Sequence, residues 1–289
     1  MVKKLNYKRD GFVHLRDILS ESVLNKFRKI IGDYDFSGKE FPLHPGFCLQ
    51  DEEIMKIVFC PKLVSALKEK FHPEYIMFPD LEVQYNLIGG VSERNKLFDG
   101  WHIDSGSEGQ KSYLTKNNYG FAKVGIYFQD NTEDYAGGID LVPFSHRFIS
   151  HGPLRFRFFV KKVINKLRII ISQKKINTQA GDVLVFDSRL QHRSSRAKKA
   201  TIKDNKQLHQ SGDFISLPKG HEKIVVYFDI AFPNSCKEFW ENANKRAESH
   251  DPTERRHFSS YTGPDSNYRL FRDYAKVSNV RTILGVYEK

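Results

Sequence analysis

Cysteine is scarce in this chain: Cys48, Cys60 and Cys236 are its only three. An odd number at wide spacing offers neither a disulfide framework nor a cysteine-based zinc pattern, and it fits a reducing compartment. Long apolar runs are missing as well. No uninterrupted stretch approaches the roughly 18 residues of a membrane span. The charged opening, Met1-Val-Lys-Lys-Leu-Asn-Tyr-Lys-Arg-Asp10, also lacks the apolar segment of a secretory signal. The expected location is cytoplasmic, with peripheral attachment to the inner face of a membrane as the remaining membrane option. No repeat of fixed period and no Gly/Ser-rich or Pro-rich linker divides the 289 residues, so a single domain over 1–289 is expected.

What is abundant is positive charge and aromatic surface. Lys and Arg number 46 against 35 Asp and Glu, a net charge of +11. Such a surface favours anionic partners: an anionic membrane, a phosphorylated or carboxylated small molecule, or nucleic acid. No recognised nucleic-acid motif accompanies the charge, which ranks nucleic acid last. Aromatic residues make up 13% of the chain, enough for a core of aromatic-rich strands.

Residues 1–78 read as a helical layer. Ser20 can cap a segment whose Val23, Leu24, Phe27, Ile30 and Ile31 follow the spacing of one helix face. Pro61 suits the first turn of a second helix carrying Leu63, Val64, Leu67 and Phe71. Residues 79–235 change to short strand-like runs at Leu81–Ile88, Val124–Phe128, Ile139–Val142, Asp182–Phe186 and Lys223–Phe232. Strands without alternating helices predict a mainly β fold with added α, a sandwich or jelly roll, not a parallel sheet.

Two segments interrupt the strands. The insertion 153–175 holds an amphipathic helical stripe over 155–171, with Arg155, Lys161, Lys162 and Lys166 mostly off the apolar side. That composition suits a helix lying in a membrane interface, and equally one packed on the core with its basic face in water. The polar, basic stretch 193–222 reads as a lid or a partly disordered loop. The extension 236–289 carries no interpretable motif and is left as a cover for the core or a partner contact.

The chemistry centres on Trp101-His102-Ile103-Asp104. In extended backbone, residues i and i+2 project to the same side, so His102 and Asp104 point together. One more histidine on a neighbouring strand completes a two-histidine, one-carboxylate facial set, which suits iron(II) and leaves positions open. His192 ends Ala180-Gly-Asp-Val-Leu-Val-Phe-Asp-Ser-Arg-Leu-Gln-His192, where a Gly-Asp turn feeds an apolar strand and delivers the histidine just past its end. With 11 histidines in the chain, a surface hydrogen bond is the bland alternative for any one His-x-Asp pair. Gln84 and Asn86 share a face of the run Leu81–Ile88, where they reach the interior or serve as polar edge residues.

Four segments in order carry a family resemblance. They are Tyr7-Lys-Arg-Asp-Gly-Phe-Val-His-Leu-Arg-Asp-Ile-Leu-Ser20, Trp101-His-Ile-Asp104, Gly137-Gly-Ile-Asp-Leu-Val-Pro-Phe-Ser-His-Arg147 and Gly181-Asp-Val-Leu-Val-Phe-Asp-Ser-Arg-Leu-Gln-His192. Together they resemble the phytanoyl-CoA dioxygenase-like family. The resemblance implies a double-stranded β-helix of the cupin-like jelly-roll type. It also implies iron(II) on His102, Asp104 and His192, with 2-oxoglutarate and dioxygen as co-substrates and oxidation of a substrate C–H bond with release of succinate and carbon dioxide. Asp at position 104, in place of Ala or Gly, implies hydroxylation over halogenation.

The family also implies a cation for the far carboxylate of 2-oxoglutarate, usually an Arg about ten residues after the last histidine. This chain departs from that pattern: position 203 is Lys within the polar insertion, and the next strand begins with Lys223. Lys223 is the first candidate, Arg196 the second and Lys203 the third. Ser194 matches a position where the family often has a hydroxyl near 2-oxoglutarate, and Gln84 is a further candidate. His146 falls in a turn whose role in the family is structural and is not expected to be a ligand.

The substrate expectation is an anionic small molecule or a lipid-linked one, such as a lipopolysaccharide sugar or another glycolipid. The alternative is a jelly roll that keeps a metal to bind sugar or another ligand without turnover, because barrels of this kind host many functions.

Overall fold

The computed structural model describes residues 7–32, 48–85, 87–88, 100–104, 120–132, 134, 138–148, 166–167, 169–195, 201–203, 213–216, 222–235 and 268–283. The chain opens with α1 (Tyr7–Asp10) and β1 (Phe12–Leu15), followed by α2 (Glu21–Gly32), α3 (Glu52–Val58) and α4 (Pro61–Lys70). The reason α3 starts where it does is local: the Asp51 carboxylate accepts from the backbone N–H of Glu53 and Ile54, satisfying two donors of the first turn. Pro61 occupies the first turn of α4, as the sequence predicts.

The strands follow as β2 (Ile76–Met77), β3 (Glu82–Tyr85), β4 (Leu87–Ile88), β5 (Phe121–Tyr127), β6 (Ile139–Leu141), β7 (Lys174–Ile176), β8 (Val183–Asp187), β9 (His192–Ser194), β10 (Thr201–Lys203), β11 (Asp213–Ser216) and β12 (Ile224–Ala231). The helix α5 (Arg269–Val277) and β13 (Arg281–Thr282) close the described chain. The main sheet has the order β1-β8-β5-β12-β2-β13, with β3 pairing on β12. A second sheet, β7-β6-β9, faces it, and a third is formed by β10-β11-β4.

Alternation along the strands divides the core. On β12, Ile224, Val226, Phe228 and Ile230 face the helices and join a large cluster with Phe27 and Leu63. Val225 faces the other way, into a smaller cluster that unites Phe12, Tyr127, Leu184 and Phe186 of the main sheet with Ile139, Leu141 and Ile176 of the second sheet. Tyr227 packs against this cluster. The architecture is therefore a mixed β structure with helices on one face and a second sheet on the other.

One sequence expectation changes, and of the two readings kept for the C-terminal extension the cover for the core agrees with its end. The stretch 193–222, expected as a lid or loop, contains the β10–β11 pair, which adds to β4 with Phe214 opposite Leu87. Its short strands are flanked by polar residues that mask the alternation a strand needs to be legible. The extension beyond Trp240 is structural at its end: Phe271 of α5 meets Phe59 with ring centroids 5.4 Å apart, and Arg281 pairs with Ile76 in parallel. Of the amphipathic stripe, residues 166–167 and 169–172 are helical; Arg155, Lys161 and Lys162 lie outside the described residues.

Candidate metal centre

His102 and His192 sit opposite each other in an isolated antiparallel bridge, each backbone N–H donating to the other's carbonyl at 2.9 and 3.0 Å. Asp104 is held by its own N–H, which donates to the Ser188 carbonyl at 3.0 Å. The three side chains converge. Asp104 Oδ1 lies 3.6 Å from His102 Nε2 and 3.4 Å from His192 Nε2, and the three ligand atoms all fall within 4.8 Å of one another. Ligands about 2.1 Å from a shared ion at right angles stand about 3.0 Å apart, so a small inward movement closes the set on a metal.

The donor chemistry fits an ion better than it fits a salt bridge. His102 Nδ1 donates to the Gly100 carbonyl at 2.8 Å, and His192 Nδ1 to the Leu190 carbonyl at 2.9 Å. A carbonyl accepts only, so each neutral ring carries its proton on Nδ1 and presents a bare Nε2 to the shared space. Burial, and then the neighbouring His192, push the His102 pKa down and favour that neutral form. Burial alone would push the Asp104 carboxyl up, but Lys123, His192 and His102 together hold it well below the usual carboxylate range. An ionised carboxylate at Asp104 and a ring pushed towards its neutral form at His102 suit the deprotonated ligands that a divalent metal requires.

Supports surround the ligands. Arg193, next to His192, faces away from the metal space, stacks its guanidinium 4.7 Å from the Trp101 ring centroid, and donates to Asp140 at 3.0 Å. Ser195 donates to the other oxygen of the same carboxylate at 2.8 Å. The network ties the segment holding His102 to β9 and β6 on the outer face. Arg193→Ala is expected to loosen that segment and lower metal affinity by about tenfold. Isothermal titration with a divalent metal checks this, and unchanged affinity would show that the network only packs.

On the interior side, Lys123 Nζ lies 3.8 Å from Asp104 Oδ2, and its cross-strand neighbour on β12 is Asp229. Burial works against the Lys123 charge, but Asp104, Asp229, Glu82 and Asp80 overcome it and raise its pKa. Burial, then Asp80, push the Asp229 carboxyl well up. Gly125 leaves room for the Tyr227 ring: a Cβ there would stand 2.7 Å from Tyr227 Cε1. Sequence reading overlooked Lys123 and Asp229. The available signal was a charged residue inside each of two otherwise apolar runs, Phe121–Tyr127 and Ile224–Ala231.

The remaining candidates separate cleanly. Lys223 is 1% exposed, immediately before β12, and by alternation shares the inner face of Val225 and Tyr227. Burial pulls its ammonium pKa down to about 8. Ser194 lies two residues beyond His192 on the same face, opposite Ile139. Gln84 lies opposite Val225 and donates to Glu82 at 2.6 Å. Lys203 belongs to β10; Arg196 and Asn86 lie outside the described residues. His146 is buried in the turn Ser145–Phe148 against Gly11, outside the group formed by His102, Asp104 and His192.

No family model matches this chain. No curated protein matches it either. Among solved structures, it is similar to the non-haem alpha-ketoglutarate-dependent epimerase SnoN from nogalamycin biosynthesis, at 12% identity and TM-score 0.48 over 78% of this chain and 79% of that one. The carbocyclase SnoK from the same biosynthesis is similar at 13% identity and TM-score 0.49, over 78% and 81%. HygX from Streptomyces hygroscopicus, solved with nickel, 2-oxoglutarate and hygromycin B, is similar at 14% identity and TM-score 0.48, over 78% and 85%.

Proposed function

We propose that this protein is an iron(II)- and 2-oxoglutarate-dependent oxygenase that hydroxylates an anionic small-molecule or lipid-linked substrate. The observation that carries the proposal is the convergence of two imidazoles, each with Nδ1 bonded to a backbone carbonyl, and one carboxylate on a shared space. Iron(II) held on one face by three such ligands keeps open positions for 2-oxoglutarate and dioxygen, and supplies the oxidising chemistry when bound. The balance is one substrate C–H bond converted to C–OH and 2-oxoglutarate converted to succinate and carbon dioxide, with one atom of dioxygen entering each organic product.

The chain's own part is to position and exclude. The register puts the triad and Lys123 at one end of the interior, and Lys223 enters from the opposite end of β12. Lys223 would hold the far carboxylate of 2-oxoglutarate with its ammonium, and Ser194 and Gln84, on the facing sheets, would flank it. Leu141, Leu184, Phe186 and Val225 form the apolar cluster packed between the two facing sheets beside that path. We read the two facing sheets as the major and minor sheets of a double-stranded β-helix.

A metal-dependent sugar-binding module has no use for a buried lysine on the inner face, and Lys223 therefore favours the oxygenase. The deciding experiment is an anaerobic titration of metal-free protein with iron(II) and then 2-oxoglutarate, following the visible charge-transfer band. A band that needs both additions is expected. Bound iron with no band on addition of 2-oxoglutarate would overturn the oxygenase reading in favour of the binding module.

A further inference from the structure

Among the described residues, four of the five exposed large apolar side chains stand on segments at the mouth that holds the metal ligands; the fifth, Val277, is on α5. β6 and β7 are antiparallel, with Leu141 opposite Lys174, so the chain leaving β6 and the chain entering β7 emerge at the same end. Leu141 also lies opposite His192, which makes this the metal end. Two strand spacings, about 10 Å, separate β7 from the strand of His192.

Large apolar side chains stand in solvent on those two segments. Phe144 is 40% exposed, Leu167 50%, Ile170 54% and Ile171 78%. Ile169, buried at 3% on the same short helix, anchors it to the protein. The exposed members are therefore the outward side of an anchored element. Around them Arg147, Lys166, Lys174 and Lys175 are all exposed. From Phe144 to Lys175 the sequence has nine Lys and Arg and no Asp or Glu, so this stretch carries charge of one sign only. Among the described residues, no helix is long and apolar enough to cross a membrane.

We infer that this rim docks on an anionic membrane surface, with Leu167, Ile170 and Ile171 entering the headgroup boundary and the surrounding lysines meeting lipid phosphates. Exposed apolar residues beside an uninterrupted run of one charge sign match the two attractions that hold an interfacial element, whereas a soluble anion requires only the charge. Docking there turns the mouth toward the bilayer, so the substrate is borne by a lipid and presented by its headgroup. That last step rests on the oxygenase reading; the docking itself does not.

The test uses full-length, metal-free protein and vesicles of phosphatidylcholine with or without a phosphatidylglycerol fraction, read by co-sedimentation. Wild type is expected to bind the anionic vesicles and to be released by salt. Ile170→Ser with Ile171→Ser should weaken partitioning by about tenfold or more, and Lys166→Glu with Lys175→Glu by about fivefold per charge removed. Circular dichroism melts should remain at the wild-type midpoint in both variants. Absence of binding to anionic vesicles overturns the inference, as does binding that neither pair of substitutions changes. So does a self-association in gel filtration that Ile170→Ser with Ile171→Ser abolishes in a protein indifferent to vesicles, because the occupant is then a second copy. No metal or 2-oxoglutarate enters this assay, so its failure leaves the charge-transfer result standing, and the reverse also holds.

Discussion

Asp104→Ala is expected to abolish turnover and to weaken iron(II) binding by at least about a hundredfold. The carboxylate is the one anion among the three ligands, and its Oδ1 stands within 3.6 Å of both imidazole nitrogens, so its loss leaves two neutral donors facing a dication. The metal-free protein should also lose stability, because Lys123 loses its partner at 3.8 Å while burial and Asp80 push the Asp229 carboxyl opposite it on β12 towards its neutral form. Metal titration under anaerobic conditions, paired with a thermal melt, separates the two effects. Metal affinity within about threefold of wild type in the alanine variant would show that the three side chains are not the binding site.

Lys223→Met is expected to move stability and co-substrate binding in opposite directions. Burial brings the Lys223 pKa from 10.5 to about 8, which corresponds to about 3 kcal/mol spent on keeping the charge inside at neutral pH. Methionine retains much of the volume without the charge, so the variant should gain about 1–3 kcal/mol in the absence of 2-oxoglutarate. Its apparent Kd for 2-oxoglutarate should rise by about a hundredfold, because a buried carboxylate then lacks its cation.

The pH profile carries the same signature. Between pH 8 and 10.5 the unfolded chain binds more protons at this position than the folded one, so wild-type stability should rise over that interval. The rise should be missing in Lys223→Met. The affinity of wild type for 2-oxoglutarate should fall as pH climbs past about 8, where the ammonium begins to lose its proton. Denaturant unfolding at several pH values, with the charge-transfer titration alongside, tests both. An unchanged 2-oxoglutarate affinity in the methionine variant would remove Lys223 from the site and shift attention to Arg196.

Much of the site was legible because strands have a period of two. His102 and Asp104 had to share a side if their segment was extended, whereas His192, expected just past the strand after Gly181-Asp182, opens β9 of the facing sheet after that strand has ended at Asp187 and the chain has turned over four residues. The helices of the first layer were legible for a similar reason, since Leu63, Val64 and Leu67 repeat at the helix spacing and all three are buried. Lys223 also stood out, as the charge at the head of an apolar strand.

Pattern within a segment says which residues share a face; it says nothing about which segments become neighbours. The pairing of β12 with β5 sets Asp229 opposite Lys123, and a separate contact carries Lys123 to Asp104, so this polar cluster exists only once distant segments have met. The β10–β11 pair is hidden because its partner, β4, lies more than a hundred residues earlier in the chain. The proton placement on both histidines likewise depends on which carbonyls, Gly100 and Leu190, the fold brings to Nδ1. By itself the sequence determined the ligand types, the shared side of the first two and the helices over Glu21–Gly32 and Pro61–Lys70, but not the place of β1 and β2 in the main sheet. The tertiary structure alone decided the convergence of the third ligand, the ionic neighbours that keep Asp104 charged and the burial of Lys223, because each is a contact between segments far apart along the chain.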